Sequence, residues 1–308
     1  MQDFEEKSVG MIEFSKLTAS DYDWLAPILW QAERPGAEFS FTNLYFWAGF
    51  YGGVAQIDGF VVQAAEHKGK LLCCMPIGEG DIRPVIEKLA QEAKRRGLSL
   101  RLRGITDEFR AVLDAALPEK FSYTVYRDSF DYLYEIEALT ELAGKKLQAK
   151  RNHCNRFIAE HPDWYTEPVT AENIGKCREL AEVWYQAHPT SSALCAERRA
   201  LSLAMEHFER LNMDGLLLCD GERVVAFSLG SRMSERYYDV NFEKAYAEVT
   251  GAYALINREF SRMVAAKYPS VRYLNREDDM GMEGLRKAKE SYHPTILLEK
   301  SFADWQEA

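Results

Sequence analysis

LLLCDGERVVAFSLGSRMSERYYDVNF, residues 216–242, decides the fold of this chain. Two β-rich runs flank the Asp220–Gly221 pair, and a third run follows a turn near Ser234 and Glu235. An Asp-Gly pair between such runs predicts a tight hairpin, because the central residues of that turn favour positive φ. The stretch therefore predicts three consecutive antiparallel strands.

The first half of the chain repeats this arrangement. GVAQIDGFVVQAAEHKGKLLCCMP, residues 53–76, has its turns at Asp58–Gly59 and Lys68–Gly69. In each half, two helical segments precede the hairpins, and a helix, a strand, a second helix and a closing strand follow them. The two Asp-Gly turns are separated by about the length of one domain.

Helices and mainly antiparallel strands in this order predict a mixed α/β chain of the α+β class. The order of elements resembles that of the GCN5-related N-acetyltransferase (GNAT) fold. We therefore predict two tandem GNAT-like (acyl-CoA N-acyltransferase) domains at residues 1–140 and 141–308, each a twisted, mostly antiparallel sheet flanked by helices. GKKLQAKRNHCNRFIAEHP, residues 144–162, is predicted as the helix that opens the second domain.

Composition and missing motifs exclude several classes of protein. A net charge of −10 argues against DNA binding. No apolar stretch reaches the roughly 18 residues of a membrane span, and the acidic N-terminus is not a secretory signal, so we expect a soluble, cytoplasmic protein. The six cysteines lack CxxC spacing, and we expect them to be reduced and mostly buried. The chain has no GxGxxG, Walker A or HExxH motif, and its histidines show no metal-ligand spacing.

A basic helix is predicted within KKLQAKRNHCNR, residues 145–156, which carries five positive charges and no acid. Lys146, Lys150 and His153 share one helical face, and Arg151 lies beside it. Such a cluster would stabilise a phosphate-bearing ligand through charge-assisted hydrogen bonds. The alternative is a solvated basic face.

Gly251 marks a second candidate for phosphate binding, because a strand passes through a loop into a helix there. Backbone N–H groups at a helix N-terminus bind phosphate well. Acetyl-CoA enzymes carry a cation before this glycine and a second small residue after it. Glu248 and Tyr253 occupy these positions here, which argues against conventional CoA binding.

YLNREDDMGMEGLRKAKESYHP, residues 273–294, combines a strand end with a basic helix. The strand-end stretch is a usual place for site residues, and the helix carries cations that would balance phosphate or carboxylate charge. We predict that Tyr292 protonates a leaving group. Internal ion pairs and a purely anchoring tyrosine are the alternative. The candidates are Asn275, Glu277, Asp278, Arg286, Lys289 and Tyr292.

RYYDVNFEK, residues 236–244, alternates polar and apolar side chains. The period of a strand places Asp239, Asn241 and Glu243 on one face and Lys244 on the other. Carboxylates near the centre of a sheet are costly to bury without partners, which makes them candidates for chemistry. Glu243 is the first candidate for a general base and Asp239 is the second.

Five segments together carry a family resemblance: EFSFTNLYFW, GKKLQAKRNHCNRF, NFEKA, GAYALINREF and NREDDMGMEGLRKAKESYHP. The chain resembles uncharacterised bacterial proteins related to the C-terminal domain of phosphatidylglycerol lysyltransferase. The resemblance implies a tandem GNAT-like pair close to the aminoacyl-tRNA-dependent transferases, which include the Fem peptidoglycan ligases. The family's residues fall here on Lys150, Arg151, Asn152, His153, Glu243, Lys244, Asn275, Glu277, Asp278, Arg286, Lys289 and Tyr292.

Three functions follow as expectations. The first is an acyltransferase that moves an aminoacyl group from aminoacyl-tRNA to an amine or hydroxyl acceptor, with tRNA as partner and a small-molecule, peptide or lipid acceptor. The second uses acyl-CoA as donor, and the third is a non-catalytic protein that binds a nucleotide, peptide or lipid head group. We expect no metal and no resident cofactor. The case for catalysis rests on the expectation that Lys150, Glu243, Asn275 and Arg286 line one cleft, and we favour the second half of the chain as its location.

Overall fold

The computed structural model describes residues 11–307. The chain forms two compact units, and each unit is assembled from separate segments. Unit 1 contains Ala48–Tyr126 with the described parts of Met1–Leu17 and Lys300–Ala308, and unit 2 contains Thr18–Trp47 and Arg127–Glu299.

Helices and strands occur along the whole described chain. The α-helices are α1 (Tyr22–Ala32), α2 (Phe41–Phe46), α3 (Ala48–Tyr51), α4 (Arg83–Arg95), α5 (Asp107–Ala116), α6 (Ile136–Glu141), α7 (Gln148–Glu160), α8 (Ile174–Gln186), α9 (Ser192–Glu206), α10 (Ala252–Lys267) and α11 (Glu283–Glu290). The strands are β1 (Ser15–Lys16), β2 (Gly53–Ile57), β3 (Phe60–His67), β4 (Lys70–Cys74), β5 (Ser99–Ile105), β6 (Phe121–Val125), β7 (Asp131–Glu135), β8 (Trp164–Pro168), β9 (Asp214–Asp220), β10 (Arg223–Arg232), β11 (Tyr237–Ala245), β12 (Tyr273–Asn275), β13 (Ile296–Leu298) and β14 (Ser301–Trp305).

Each unit has a seven-stranded sheet among the described residues. The order is β1-β2-β3-β4-β5-β14-β6 in unit 1 and β13-β7-β12-β11-β10-β9-β8 in unit 2. Pairing is antiparallel except between β4 and β5 in the first sheet and between β11 and β12 in the second. The predicted α+β architecture, with two mostly antiparallel sheets and flanking helices, is confirmed.

Each sheet contains one strand that lies, along the sequence, among or after the strands of the other sheet. The C-terminal strand β14 pairs with β5 and β6 in unit 1, whereas β7 pairs with β12 and β13 in unit 2. The units are therefore interleaved, and they differ from the contiguous domains that we predicted at 1–140 and 141–308. Strand pairing joins residues far apart in sequence, and the local pattern of a strand does not identify its partner.

The hairpins and amphipathic helices follow the predicted pattern. In the first hairpin, Asp58 and Gly59 both have positive φ, 50° and 83°, as its Asp-Gly turn requires. Helix α4 buries Val85, Ile86 and Leu89 against its sheet. Helix α10 buries Leu255, Ile256, Phe260 and Val264 in the main core of unit 2.

Two further properties concern cysteines and membranes. Cys73, Cys74, Cys154, Cys177 and Cys219 are buried free thiols, and Cys195 is an exposed one. In the part of the chain that the structure describes, every helix is too short or too polar to cross a bilayer.

Candidate functional site

Strand β11 carries a bulge opposite β10. Leu229 pairs with Phe242 and Ser231 pairs with Asp239, so β11 advances three residues where β10 advances two. One extra residue reverses the alternation of side chains between the two faces of a strand. Asp239 and Glu243 therefore point to opposite faces of the sheet.

Contacts with the flanking helices agree with this reversal. Glu243 accepts a hydrogen bond from Asn257 of α10, with 3.1 Å between Oε2 and Nδ2. The preceding residue, Phe242, packs its ring against Phe46 of α2 at 5.8 Å. Asp239 also lies beside the N-terminus of α2. The prediction of one polar face is wrong, because the bulge leaves no mark in the sequence alternation.

On the α10 face, Glu243 is the centre of a polar cluster. Arg276, the first residue after β12, donates from Nη2 to Glu243 Oε1 at 2.9 Å. The guanidinium lies 5.0 Å from the ring centre of Tyr292. Lys150 of α7 places its ammonium 4.0 Å from the centre of the same ring. We call Glu243, Arg276, Asn257, Lys150 and Tyr292 the Glu243 cluster.

Burial shifts the protonation equilibria of two members of the cluster. It raises the pKa of Tyr292, whose phenol remains protonated and able to donate at neutral pH. Burial also lowers the pKa of Lys150, and the nearby positive charge of Arg276 lowers that pKa further. The cluster thus contains a carboxylate, a phenol and a partly desolvated amine.

Several buried polar atoms of this region have no hydrogen-bond partner among residues 11–307. They are Arg276 Nη1, Asn257 Oδ1 and Ser228 Oγ. Ser228 is fully buried and is the cross-strand neighbour of Glu243. Buried polar atoms normally have partners, and groups of exceptions mark places where a ligand or water completes the bonding. Two donors and one acceptor are available here.

A cleft of about 560 Å³ adjoins the cluster through Tyr292. Lys146 lies on its wall, where it adds positive charge beside the tyrosine. The remaining lining comes from α6, the turn before α7, the last residue of α11 and the segment after it: Ala138, Ala143, Leu147, Glu290, His293, Pro294 and Thr295. The Glu243 cluster therefore has a neighbouring space that a small ligand group would fit.

On the α2 face, Asp239 belongs to a separate buried network. Asn241 donates to its Oδ2 at 2.9 Å, and Ser231 and Thr42 continue the chain of hydrogen bonds. Burial raises the pKa of Asp239 well above its ordinary value, and the nearby carboxylates of Glu277 and Asp131 raise it further. A raised pKa favours the protonated form of a carboxyl group, and that form cannot accept a proton from an acceptor. Its assignment as the second base is therefore not supported by this geometry.

The strand-end candidates also belong to this network. Asn275 is fully buried and donates to Asp131 at 3.0 Å and to the carbonyl of Pro35 at 2.8 Å. Glu277 accepts from Asn43 at 3.0 Å, and burial raises its pKa to about 7. Asp278 accepts from the backbone of the loop. Asn275 therefore holds the strand end together and does not join the Glu243 cluster.

Two of the three cations of α11 are committed mainly to the loop that precedes it. Arg286 donates to Asp279 from Nε and Nη2 at 2.9 Å each, and to Asp128 at 2.8 Å. Lys289 is buried, and its ammonium donates to the carbonyls of Arg276, Glu277 and Asp278. These bonds match the alternative of internal pairing and leave little of either cation for phosphate. The prediction that Arg286 and Lys150 line one cleft is not supported by these contacts.

Lys244 is likewise occupied. It is buried on the α2 face, where it pairs with Glu197 at 2.7 Å and lies 3.6 Å from the ring centre of Trp184. Burial lowers the pKa of Lys244. Its predicted role as a phosphate contact would require this pair to open.

The predicted basic helix divides into inward and outward residues. Arg151 donates to the carbonyls of Leu142 and Gly144, so it caps the end of α6. Asn152 and His153 are exposed on α7. Lys150 is the residue of this group that turns towards the Glu243 cluster.

Gly251 has a packing role. It precedes α10 with a φ of 89°, and a Cβ built there would lie 2.4 Å from the carbonyl oxygen of His153. Helix α7 thus packs directly against the residue that precedes α10. Close backbone approach accounts for the glycine, and its assignment to phosphate binding is not supported.

We expect Gly251→Ala to lower the free energy of unfolding by more than about 2 kcal/mol, since it combines an unfavourable φ with a clash against backbone. Gly59→Ala is the matched control, because Gly59 has a φ of 83° and open space around its Cβ position. Urea unfolding of both variants separates the two costs. Equal losses would show that the contact with α7 contributes nothing.

Three members of this site were absent from the sequence-based candidates. Arg276 stands within the strand-end stretch that we identified, next to Asn275. Asn257 shares the buried face of α10 with Phe260, Ser261 and Val264, and an amide in such a stripe is a usable signal. Ser228 lies inside β10 as expected, and only the strand pairing places it beside Glu243.

Metal ligation has no support in the described part of the chain, where no three His, Cys, Asp or Glu side chains are grouped to hold an ion. The groups available in the Glu243 cluster are suited to binding oxygen and nitrogen atoms of a substrate through hydrogen bonds.

Comparison with known proteins agrees with the fold. A conserved protein of unknown function from Bacteroides thetaiotaomicron VPI-5482 is 37% identical, with a TM-score of 0.88 over 96% of this chain and 100% of that chain. The structure of L-PGS from Bacillus licheniformis is 16% identical, with a TM-score of 0.66 over 98% and 95% of the two chains. A crystal structure of FemX is 9% identical, with a TM-score of 0.56 over 94% and 97%.

A curated relative, the uncharacterized protein MYCGA3080 of Mycoplasmoides gallisepticum, is 24% identical over 181 residues. The match spans 57% of this chain and 56% of that protein.

Residues 31–303 match the family model described as phosphatidylglycerol lysyltransferase, C-terminal. The expected family resemblance and the predicted GNAT-like α+β fold are confirmed. Because this match covers most of the sequence, the chain belongs to the family of phosphatidylglycerol lysyltransferase C-terminal domains.

Proposed function

We propose that this chain transfers an aminoacyl group from an aminoacyl-tRNA to an amine or hydroxyl acceptor at the Glu243 cluster. The observation that carries the proposal is the set of buried, unpartnered polar atoms around a buried carboxylate: Arg276 Nη1, Asn257 Oδ1 and Ser228 Oγ. The names of the relatives support the class of reaction, since the family model is that of a lysyltransferase.

In this reaction the acceptor oxygen or nitrogen attacks the carbonyl carbon of the aminoacyl ester. Glu243 takes the proton of the acceptor as the new bond forms. The bond from the carbonyl carbon to the ribose oxygen of the tRNA then breaks, and Tyr292 protonates that oxygen. Proton return from Glu243 to Tyr292 restores the site, so atoms and charges balance.

The remaining groups of the cluster suit the charge that develops in the transition state. Arg276 Nη1 and the hydroxyl of Ser228 are donors without partners beside Glu243, and they would hold the oxyanion of the tetrahedral intermediate. The loss of one such donor costs about 3 kcal/mol where it has been measured in other enzymes. Asn257 Oδ1 would accept a hydrogen bond from the substrate amine.

The basic residues near the cleft favour a nucleic-acid donor over CoA. Lys146 on the cleft wall and Lys150 beside Tyr292 would contact the phosphates of the tRNA 3′ end. By contrast, Glu248 and Tyr253 occupy the positions where acetyl-CoA enzymes carry a cation and a small residue. The acceptor group is an amine or a hydroxyl.

The test uses the full chain with bacterial tRNA charged with radiolabelled amino acids. Phosphatidylglycerol vesicles supply hydroxyl acceptors, and a lysine-containing peptide supplies amine acceptors. We expect the label to move from the tRNA fraction to an acceptor. Transfer from labelled acetyl-CoA to the same acceptors, without transfer from tRNA, would contradict the proposal, as would binding of charged tRNA without any turnover.

Lys150→Met is expected to reduce this transfer about tenfold at low tRNA concentration, because it removes one charge-assisted contact. Lys287→Met is the matched control, since Lys287 is 72% exposed in the same unit and pairs with Glu283 on the surface of α11. Equal rates for the two variants would remove Lys150 from the site.

A further inference from the structure

Arg103 of unit 1 is a buried cation that has no counter-charge within the described residues. Its side chain is 6% exposed, and no carboxylate of residues 11–307 lies within ion-pair distance of it. The nearest polar contacts are neutral: Nη2 donates to the amide oxygen of Gln63 at 3.2 Å and to the carbonyl of Tyr51 at 3.4 Å. Most other arginines around it, such as Arg96 and Arg101, pair with acids.

Three donors at this place have no hydrogen-bond partner within the described chain. They are Nε and Nη1 of Arg103 and Nε2 of Gln63. The oxygen of Gln63 is already engaged by Arg103 and by the thiol of Cys74 at 3.1 Å. The groups without a partner are all hydrogen-bond donors, whereas a cation site requires acceptors.

Aromatic rings account for only part of the stabilisation of this guanidinium. Phe50 and Tyr51 lie 4.6 Å and 4.3 Å from its central carbon. Such contacts contribute through the faces of the rings and leave the N–H groups at the guanidinium edge unsatisfied. A buried charge without a partner destabilises a protein strongly, so a ligand that supplies the missing charge would be bound firmly.

The position of Arg103 in the sheet also favours a ligand. It is paired with Cys74 at the end of the parallel ladder between β4 and β5. The equivalent ladder end in unit 2 pairs Asp239 with Asn275, and there the asparagine has its bonds satisfied within the chain. The carboxyl ends of adjacent parallel strands are frequent ligand positions.

We propose that Arg103 and Gln63 of unit 1 form a binding site for a phosphate-type oxyanion. Several donors and no acceptor suit a group with three or four oxygens, either as free phosphate or as a phosphate monoester. Phe50, which is 60% exposed, would form one wall of the site. This site lies in the other unit from the Glu243 cluster, and it does not depend on the function proposed there.

The test measures ligand binding to the full chain by calorimetry and by thermal unfolding in a phosphate-free buffer. The probes are inorganic phosphate, sn-glycerol 3-phosphate and acetate, with sodium chloride at matched ionic strength as the reference. We expect phosphate or its monoester to raise the melting temperature of the wild-type chain. A larger response to glycerol phosphate would assign the site to an esterified phosphate, and a larger response to inorganic phosphate would assign it to the free ion.

Arg103→Met is expected to weaken phosphate binding at least about tenfold and to abolish the thermal shift. Arg83→Met makes the same change of charge at an exposed position and should bind as the wild type does. Arg103→Lys keeps the charge with fewer donors and should weaken binding several-fold, and it replaces the methionine variant if that one does not fold.

Three outcomes would overturn the proposal. One is the absence of any shift with phosphate or glycerol phosphate beyond that of chloride. Another is an equal shift in the wild type and in both methionine variants. The third is a stronger response to acetate than to either phosphate probe.

Discussion

Glu243→Gln is expected to reduce aminoacyl transfer by about a thousandfold, because the amide cannot take the proton of the acceptor. The substitution keeps the size of the side chain and an oxygen that accepts from Arg276. The measurement is the single-turnover rate of label transfer from charged tRNA. A rate within about threefold of the wild type would remove Glu243 from the chemistry.

Stability must be separated from catalysis in this experiment, since Glu243 and Arg276 form a pair of which each side chain is less than 15% exposed. The single variant leaves the buried guanidinium without a counter-charge and should lower the free energy of unfolding. In the double variant Glu243→Gln/Arg276→Gln both charges are absent. We expect it to recover part of the stability and none of the rate.

Asp239→Asn is the comparison for the base. Its carboxyl group lies on the α2 face, and burial raises its pKa, which favours the protonated form that an amide resembles. We expect the transfer rate to stay within about threefold of the wild type. A loss as large as that of Glu243→Gln would show that the α2 face takes part in the reaction.

Asp279→Asn is expected to lower the free energy of unfolding by about 3–5 kcal/mol, the largest stability effect among these variants. Asp279 is fully buried and accepts from Arg286, Arg127 and the hydroxyl of Tyr132, at 2.9, 3.2 and 2.6 Å. The asparagine leaves two arginines facing a neutral group. Urea unfolding at pH 7 provides the measurement.

The pH dependence of stability gives a second readout for the same residue. Hydrogen bonds and the charge of Arg286 outweigh burial and lower the pKa of Asp279 to about 2. In the unfolded chain the carboxyl group titrates near its ordinary value, so the unfolded state binds more protons between these values. The stabilisation is complete above about pH 4 and is lost as the pH falls through 2, a change of about 2 kcal/mol.

Glu283→Ala is the matched control for Asp279. Glu283 is 80% exposed and pairs with Lys287 along α11 at a spacing of four residues. Exposed pairs of this kind contribute little, and we expect a loss below about 0.5 kcal/mol. If Asp279→Asn cost no more than this control, the network around Arg286 would have no structural role, and phosphate binding by Arg286 would regain support.

The local pattern of the sequence is sufficient for the helices, the hairpins and the two similar halves. Asp58 and Gly59 take the φ angles that their turn requires, and α4 and α10 bury the residues that helical spacing selects. These features depend on neighbours within a few residues, and the sequence therefore contains the information directly. The family resemblance is likewise carried by short segments.

Residue chemistry also selected Glu243, Lys150 and Tyr292 from the sequence, and the structure brings these three together. Their catalytic and binding roles stay predictions. The same reasoning selected Arg286, Lys289 and Lys244, whose charges are engaged by loop carboxylates, backbone carbonyls and Glu197. The sequence does not show whether a cationic side chain binds a substrate or pairs with an acidic side chain of the same protein. Only the positions of its neighbours in the structure distinguish the two cases.

The sequence by itself determined the order of elements, the α+β class and the family. Only the tertiary structure decided that β7 and β14 exchange between the sheets, that the bulge in β11 separates Asp239 from Glu243, and that α7 covers Gly251. Each of these depends on contacts between residues far apart along the chain, whose free energy is set by pairing and packing in three dimensions.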